Sequence, residues 1–199
     1  MNKIVLATTN KGKIRELKNQ LSEKYQVLSL HDIGFVEDIE ETGLTFKENS
    51  EIKAKKVLEY CELNNIQVNI VIAEDSGILV EALPNHLGVF SKRDELFGGE
   101  DESDFNKNEK LIEIMKDKDN KICRYVSDIC VVTPNSVNHY EGKIIGFVGD
   151  KQIGENGFAW DSIFYIDKNK SIACLNNEEK NKISHRGIAL NKMLENFNL

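Results

Sequence analysis

Two adjacent carboxylates, Glu74 and Asp75, stand between the apolar runs Val71-Ile72-Ala73 and Ile78-Leu79-Val80, followed at once by the small residues Ser76 and Gly77. Val71 and Ile72 read as a buried strand. Ser76 and Gly77 read as a backbone turn before Ile78 resumes, which puts the carboxylates at a strand end. Strand ends are where α/β folds bind ligands, so a carboxylate pair there is suited to holding a divalent metal or taking a proton from water. The competing reading is an Asx-type turn, with Asp75 bonding the backbone near Gly77.

Further groups able to do chemistry are spread along the chain. Thr8-Thr9-Asn10-Lys11-Gly12-Lys13 leads from a strand at residues 3–8 into a helix whose apolar face carries Ile14, Leu17 and Leu21. Such a turn offers backbone N–H groups and a lysine to an anion, or is a plain capped turn; it is not a Walker A loop. The acidic run Glu37-Asp38-Ile39-Glu40-Glu41 precedes Thr45 and Glu48, a capping-box pair that starts a helix after Gly43. On that helix Ala54, Val57, Leu58 and Cys61 form the apolar face, and Asn49, Lys53 and Lys56 form a separate polar stripe. Glu41 and Lys53 could thus face one pocket as metal-binding carboxylate and phosphate-binding ammonium, although Lys53 also fits a solvated surface. Gly157-Phe158-Ala159-Trp160-Asp161 sets two aromatics and a carboxylate beside glycine, able to stack a base or to serve as core. Ser184 is a natural N-cap for a terminal helix with Ala189, Leu190, Met193, Leu194 and Phe197 on its apolar side. His185 and Arg186 then fall in its first turn, where the helix dipole opposes cations, and this points to a ligand.

The elements that must position these groups alternate strand and helix. Residues 25–30 read as a strand, residues 104–117 as a helix, and residues 123–133 and 137–148 as two strands of a hairpin turning at Pro134-Asn135-Ser136. Residues 98–104 read as a flexible loop. A chain of 199 residues suffices for one full core, and a single domain over 1–199 is expected. With 40% hydrophobic and 30% charged residues the composition is that of a soluble globular protein, and no apolar run approaches the ~20 residues of a membrane span. A cytoplasmic location without membrane contact is expected, as the N-terminus lacks the apolar length of a secretory leader. Cys61, Cys123, Cys130 and Cys174 show no C-x-x-C spacing and are expected to be reduced thiols. The net charge of −7 argues against nucleic-acid binding, which leaves a basic footprint.

Taken together, these segments resemble the inosine triphosphate pyrophosphatase family, enzymes that hydrolyse non-standard purine nucleoside triphosphates to monophosphate and pyrophosphate. The resemblance runs in family order through Thr8-x-Asn10-x-x-Lys13, Glu41-Thr42-Gly43-Leu44-Thr45-Phe46-x-Glu48-Asn49 with Lys53, and Glu74-Asp75-Ser76-Gly77. It continues through Ser91-x-Arg93, Gly157-Phe158-x-Trp160-Asp161 and Lys180-x-x-x-Ser184-His185-Arg186. It implies an α/β fold with a long, bent mixed β-sheet and flanking helices forming two lobes around a central cleft. It also implies Mg²⁺ as cofactor, held by Glu41 and Asp75, with Asp75 as the catalytic carboxylate. Thr8, Asn10, Lys13 and Lys53 would contact the triphosphate, and Ser76 the substrate. Phe158, Trp160, Asp161, Lys180, His185 and Arg186 would form the base site, and the protein would be a homodimer. The chain departs from the family pattern at Ala159, where glycine is usual, at Ser162, where proline is frequent, at Leu87, where a Pro-Gly turn is common, and at Lys92, where a small residue is usual. Glu74 replaces the commoner Asp.

Two other readings remain at this level. One is a nucleotide-binding or sensor protein without turnover, against which the retained Asp75 and Glu41 speak. The other is a pyrimidine nucleotide pyrophosphatase of the Maf type, against which Ser184-His185-Arg186 speaks.

Overall fold

The computed structural model describes residues 2–68 and 70–196 and contains a mixed seven-stranded sheet with five α-helices. In chain order the main elements are β1 (Lys3–Leu6), α1 (Lys11–Leu21), β2 (Gln26–Ser29), α2 (Phe46–Leu63) and β3 (Ile70–Val80). They continue with α3 (Asp104–Met115), β4 (Ile122–Thr133), β5 (Ser136–Val148), β6 (Phe164–Asp167), β7 (Lys170–Ser171), α4 (Asn177–Ile183) and α5 (His185–Asn196). The strand order is β2-β1-β3-β4-β5-β6-β7, with β1 parallel to both β2 and β3, and β6 antiparallel to both β5 and β7.

The chain divides into two compact units. The first comprises Met1–Asp75, Asp128–Glu141 and Leu190–Leu199, and the second Ser76–Ser127 and Gly142–Ala189. In the first unit, Val5, Val71 and Ala73 of the sheet, and Ala7 just past β1, pack with Ala54, Val57, Leu58 and Cys61 of α2. That is the apolar face expected of α2 from its spacing. Its start is the capping box read from the sequence: Thr45 accepts from the Glu48 N–H while Glu48 reaches back to the Thr45 N–H. In the second unit, Ile78, Phe97, Leu111, Met115, Tyr125, Trp160, Ile163 and Phe164 belong to one buried cluster.

The expected helices and the hairpin turn at Pro134 are present within a residue or two of their expected bounds. Phe197, expected on the apolar side of the last helix, lies outside the described residues. One expectation is corrected. Ser76 and Gly77 make no turn, because β3 runs unbroken from Ile70 to Val80 through both carboxylates. Strand geometry throughout, with β-branched residues before and after, prevails over local turn chemistry. Asp75 accordingly makes an ion pair to Lys53 rather than an Asx turn.

Candidate active site

Successive side chains of a strand point to opposite faces, so a continuous β3 separates its two carboxylates. Asp75 falls on the face of Val71 and Ala73, against α2, and its Oδ1 accepts a hydrogen bond from Lys53 Nζ at 3.2 Å. Glu74 falls on the other face, where its Oε2 lies 2.8 Å from Lys13 Nζ of α1. Lys13 Nζ also donates to the Glu74 backbone carbonyl at 3.3 Å. Lys53 makes a second ion pair, 2.9 Å to Glu41 Oε1. Glu41 is held near it by Asn49, whose buried Oδ1 accepts the Gly43 N–H at 2.8 Å. Gly43 is required there, since a Cβ would stand 2.6 Å from Glu48 Cβ and 2.7 Å from Asn49 Oδ1.

The electrostatics of this cluster follow from its count of charges: the carboxylates of Glu41, Glu74 and Asp75 face the ammonium groups of Lys13 and Lys53. Burial alone would lower the pKa of Lys53, but Asp75 and Glu41 outweigh it and hold the ammonium above its ordinary range. Asp75 moves upward as well. Burial drives its carboxyl up, the two lysines pull it back only in part, and Glu41 and Glu74 add like-charge repulsion. Its Oδ2 is buried and has no hydrogen-bond partner among the described residues. An orphaned, buried carboxylate oxygen on Asp75 fits a divalent cation. No group of three or more His, Cys, Asp or Glu side chains poised for a metal occurs among the described residues. A cation here would therefore complete its shell with oxygens from substrate or water.

The Thr8–Lys13 turn is more self-satisfied than its sequence implies. Asn10 caps α1, its Oδ1 accepting from Gly12 N at 2.9 Å and Lys13 N at 3.1 Å, while its own N–H donates to Thr8 Oγ1. Three N–H groups expected to greet an anion are thus already bonded. What the turn still presents is its exposed side-chain atoms, with the Lys13 ammonium held against Glu74.

The second unit carries the other expected residues. Ser184 Oγ accepts from Gly187 N at 3.0 Å, the N-cap bond expected for α5, and puts His185 and Arg186 in the first turn. Arg186 is buried; its Nη2 donates to Ser76 Oγ at 3.2 Å, and its guanidinium sits 5.1 Å from the centre of the Phe158 ring. Lys180 Nζ lies 5.3 Å from the same ring and 2.8 Å from Asp161 Oδ2. That oxygen also accepts the Phe158 N–H at 2.9 Å, so Asp161 ties the aromatic loop to α4. A Cβ on Gly157, whose φ is +91°, would stand 2.1 Å from Asp161 Oδ2. Trp160, expected in the base site, lies on the same loop with its ring turned inward. It is buried edge-on against Phe97 at 5.6 Å and supports the loop from within the core.

Several residues were not singled out by their sequence. Asn108 is buried on α3 and donates to Ala159 O and Ser162 Oγ, both at 3.0 Å, while Asp104 Oδ2 accepts the Ala159 N–H at 2.8 Å. The signal was an Asn three residues before Leu111, on the apolar face of its helix. Tyr125 stacks on His185 with ring centroids 4.2 Å apart. In the first unit, Asp128 interrupts an apolar strand and is satisfied by Ser50 Oγ at 2.5 Å and His139 Nδ1 at 2.8 Å. Nothing local marks these pairings, since the partners lie far apart in the chain.

The model of the Ham1 family matches residues 4–196. A dITP/XTP pyrophosphatase of Bacillus licheniformis is 37% identical over 198 residues, covering 97% of this chain and 96% of that protein. A dITP/XTP pyrophosphatase of Thermoanaerobacter pseudethanolicus is 40% identical over 195 residues, covering 96% of this chain and 94% of its own. Among solved structures, the Staphylococcus aureus Ham1 protein superposes with a TM-score of 0.83 at 34% identity, covering 98% of this chain and 97% of that one.

Proposed function

Because the chain belongs to the Ham1 family, we propose that it is a nucleoside triphosphate pyrophosphatase, which hydrolyses inosine, deoxyinosine and xanthosine triphosphates to the monophosphate and pyrophosphate. It thereby clears non-standard purines from the nucleotide pool. The observation that carries this reading is the cluster of Glu41, Glu74 and Asp75 around Lys13 and Lys53, with the buried Asp75 Oδ2 lacking a hydrogen-bond partner among the described residues. Phosphoryl transfer asks mainly for charge neutralisation and alignment, and this cluster is built from the groups that do both.

In this reading Asp75 is the catalytic carboxylate. Its ionised form accepts a hydrogen bond from a water and orients it toward the α-phosphorus, and pyrophosphate departs. Lys13 and Lys53 trade part of their carboxylate contacts for phosphate oxygens and neutralise charge as it gathers on the leaving group. Thr8 and Asn10 hold the turn that aims Lys13. Glu41 and Asp75 would hold Mg²⁺, which when bound would supply further charge neutralisation at the phosphates. In the second unit Ser76, Phe158, Asp161, Lys180, His185 and Arg186 receive the purine. Phe158 offers a ring face, His185 and Arg186 offer donors, and Trp160 serves from the core. Among the described residues no helix is long and apolar enough to cross a membrane; a cytoplasmic location is part of the same proposal. We also propose a homodimer, as the family resemblance implies.

The test is product analysis with a panel of triphosphates and Mg²⁺. Inosine and xanthosine triphosphates should release pyrophosphate in preference to ATP, and pyrimidine triphosphates should be poor substrates. Orthophosphate as the primary product, or tight binding with no turnover, overturns the reading. Light scattering at micromolar concentration should return twice the chain mass; a monomer refutes the dimer alone.

A further inference from the structure

His185 opens α5, and the parts of the second unit that meet it leave its imidazole little freedom. The Tyr125 ring stacks on it at 4.2 Å and 15°, and the same ring stacks on Phe164 at 4.7 Å and 20°. Three rings therefore form one column with Tyr125 in the middle. Tyr125 is buried, and burial, with the Asp161 carboxylate beside it, pushes its hydroxyl well above the ordinary tyrosine range. It stays protonated beside that carboxylate. The backbone of His185 is held as closely. A Cβ on Gly142 of β5 would stand 1.9 Å from the His185 carbonyl oxygen and 2.5 Å from Ala189 N.

We propose that Tyr125 is a positioning residue for base selectivity: stacked between Phe164 and His185, it fixes the plane of the His185 imidazole. The proposal rests on His185 belonging to the base site. Its physical basis is that a hydrogen-bonding site rejects a wrong base only if its donor cannot turn away from the mismatch. A histidine free to rotate would find water or another acceptor and forgive a 6-amino group. One locked in a ring column cannot, so the column turns a donor into a discriminator.

The experiment measures kcat and KM on inosine triphosphate and ATP for the wild type, Tyr125→Phe, Tyr125→Leu, His185→Ala and the double variant Tyr125→Leu/His185→Ala, with thermal unfolding of each. Tyr125→Phe keeps the stack and should keep the ratio of kcat/KM values within about twofold. Tyr125→Leu removes the stack and should cut that ratio by about 3–10-fold, the scale of one stacked aromatic pair, mainly through KM for inosine triphosphate. In the His185→Ala background Tyr125→Leu should change the ratio no further. A folded Tyr125→Leu protein with the wild-type ratio overturns the proposal, as does an effect that persists undiminished without His185. If His185→Ala itself leaves the ratio intact, the base-site premise has failed, and the proposal with it. Should Tyr125→Leu not fold, NMR relaxation of the His185 ring in the wild type decides. A ring ordered like the rigid backbone supports the column, and an order parameter below about 0.6 refutes it.

Discussion

Asp75 Oδ1 lies 3.2 Å from Lys53 Nζ, while its Oδ2, equally buried, has no hydrogen-bond partner among the described residues. One carboxylate thus has one oxygen committed to the protein and one kept for something else. That division suits a group that must hold its place and still act.

Asp75→Asn keeps the shape of the side chain and removes the charge that orients water and attracts a cation. Lys53 retains Glu41, so the variant should fold. Its turnover of inosine triphosphate should fall by roughly 10²–10⁴-fold, the range of a lost general base. Near-normal turnover in a folded Asp75→Asn protein removes Asp75 from the catalytic role.

The upward displacement of Asp75 has a definite sign in a stability profile. Its carboxyl titrates above the ordinary 3.8 because burial disfavours the ion, so ionisation opposes folding. The penalty starts as pH rises through the unfolded value and is complete above the folded one. In metal-free protein, the Tm of Asp75→Asn should therefore gain on that of the wild type as pH rises from about 4. A gap that shrinks over that rise contradicts the direction. Added Mg²⁺ should raise the Tm of the wild type more than that of the variant.

Arg186 offers only donors, which suits the C6 carbonyl of hypoxanthine and xanthine and not the amino group of adenine. Donor against donor can support ~10⁴–10⁵-fold discrimination. Arg186→Ala should lose kcat/KM mainly on inosine triphosphate and narrow its lead over ATP, and an unchanged ratio takes Arg186 out of the base site. The margin over GTP, which shares the carbonyl, should be the smaller one.

Two substitutions on the aromatic loop should act in opposite directions. Gly157→Ala forces a Cβ to 2.1 Å from Asp161 Oδ2 at a φ of +91°, breaking the tie to Lys180, and should cost about 1–3 kcal/mol with loss of activity. Ala159 already holds a φ of +53°, so Ala159→Gly relieves strain at the position where the family usually has glycine. It should be neutral or stabilise by up to about 1 kcal/mol, since the lost methyl and the freer unfolded chain offset part of the gain. Chemical denaturation of both variants checks the pair.

Thiol chemistry should separate the four cysteines. Cys123 and Cys130 are buried and pushed up to about 12, and burial raises Cys61 too, whereas Cys174 is exposed. A disulfide reagent at about pH 8 should label Cys174 alone in the native protein and all four after unfolding. Rapid labelling of more than one thiol under native conditions contradicts this burial.

The sequence by itself determined whatever depends on residues within one or two turns of each other. Thr45 and Glu48 bond across three positions, Ser184 caps an adjacent helix, and Pro134-Asn135 turns a hairpin, so each is legible wherever it occurs. The residue types of the candidate site were legible too, because the motifs that carry the proposed roles occur in order along the chain. What only the tertiary structure decided is which of these groups meet. Ser76 and Gly77 carried a turn signal, yet strand geometry overrode it, and the unbroken pleat then sent Glu74 to Lys13 and Asp75 to Lys53 on opposite faces. Trp160 went to the core and Phe158 to the cations, although both aromatics sit on one loop. Tyr125 gained its place under His185 from a contact 60 positions away in the chain, for which no local preference exists. Short-range propensities favour local bonds, but burial and pairing between distant segments set the side-chain partners, and those terms exist only once the chain has folded.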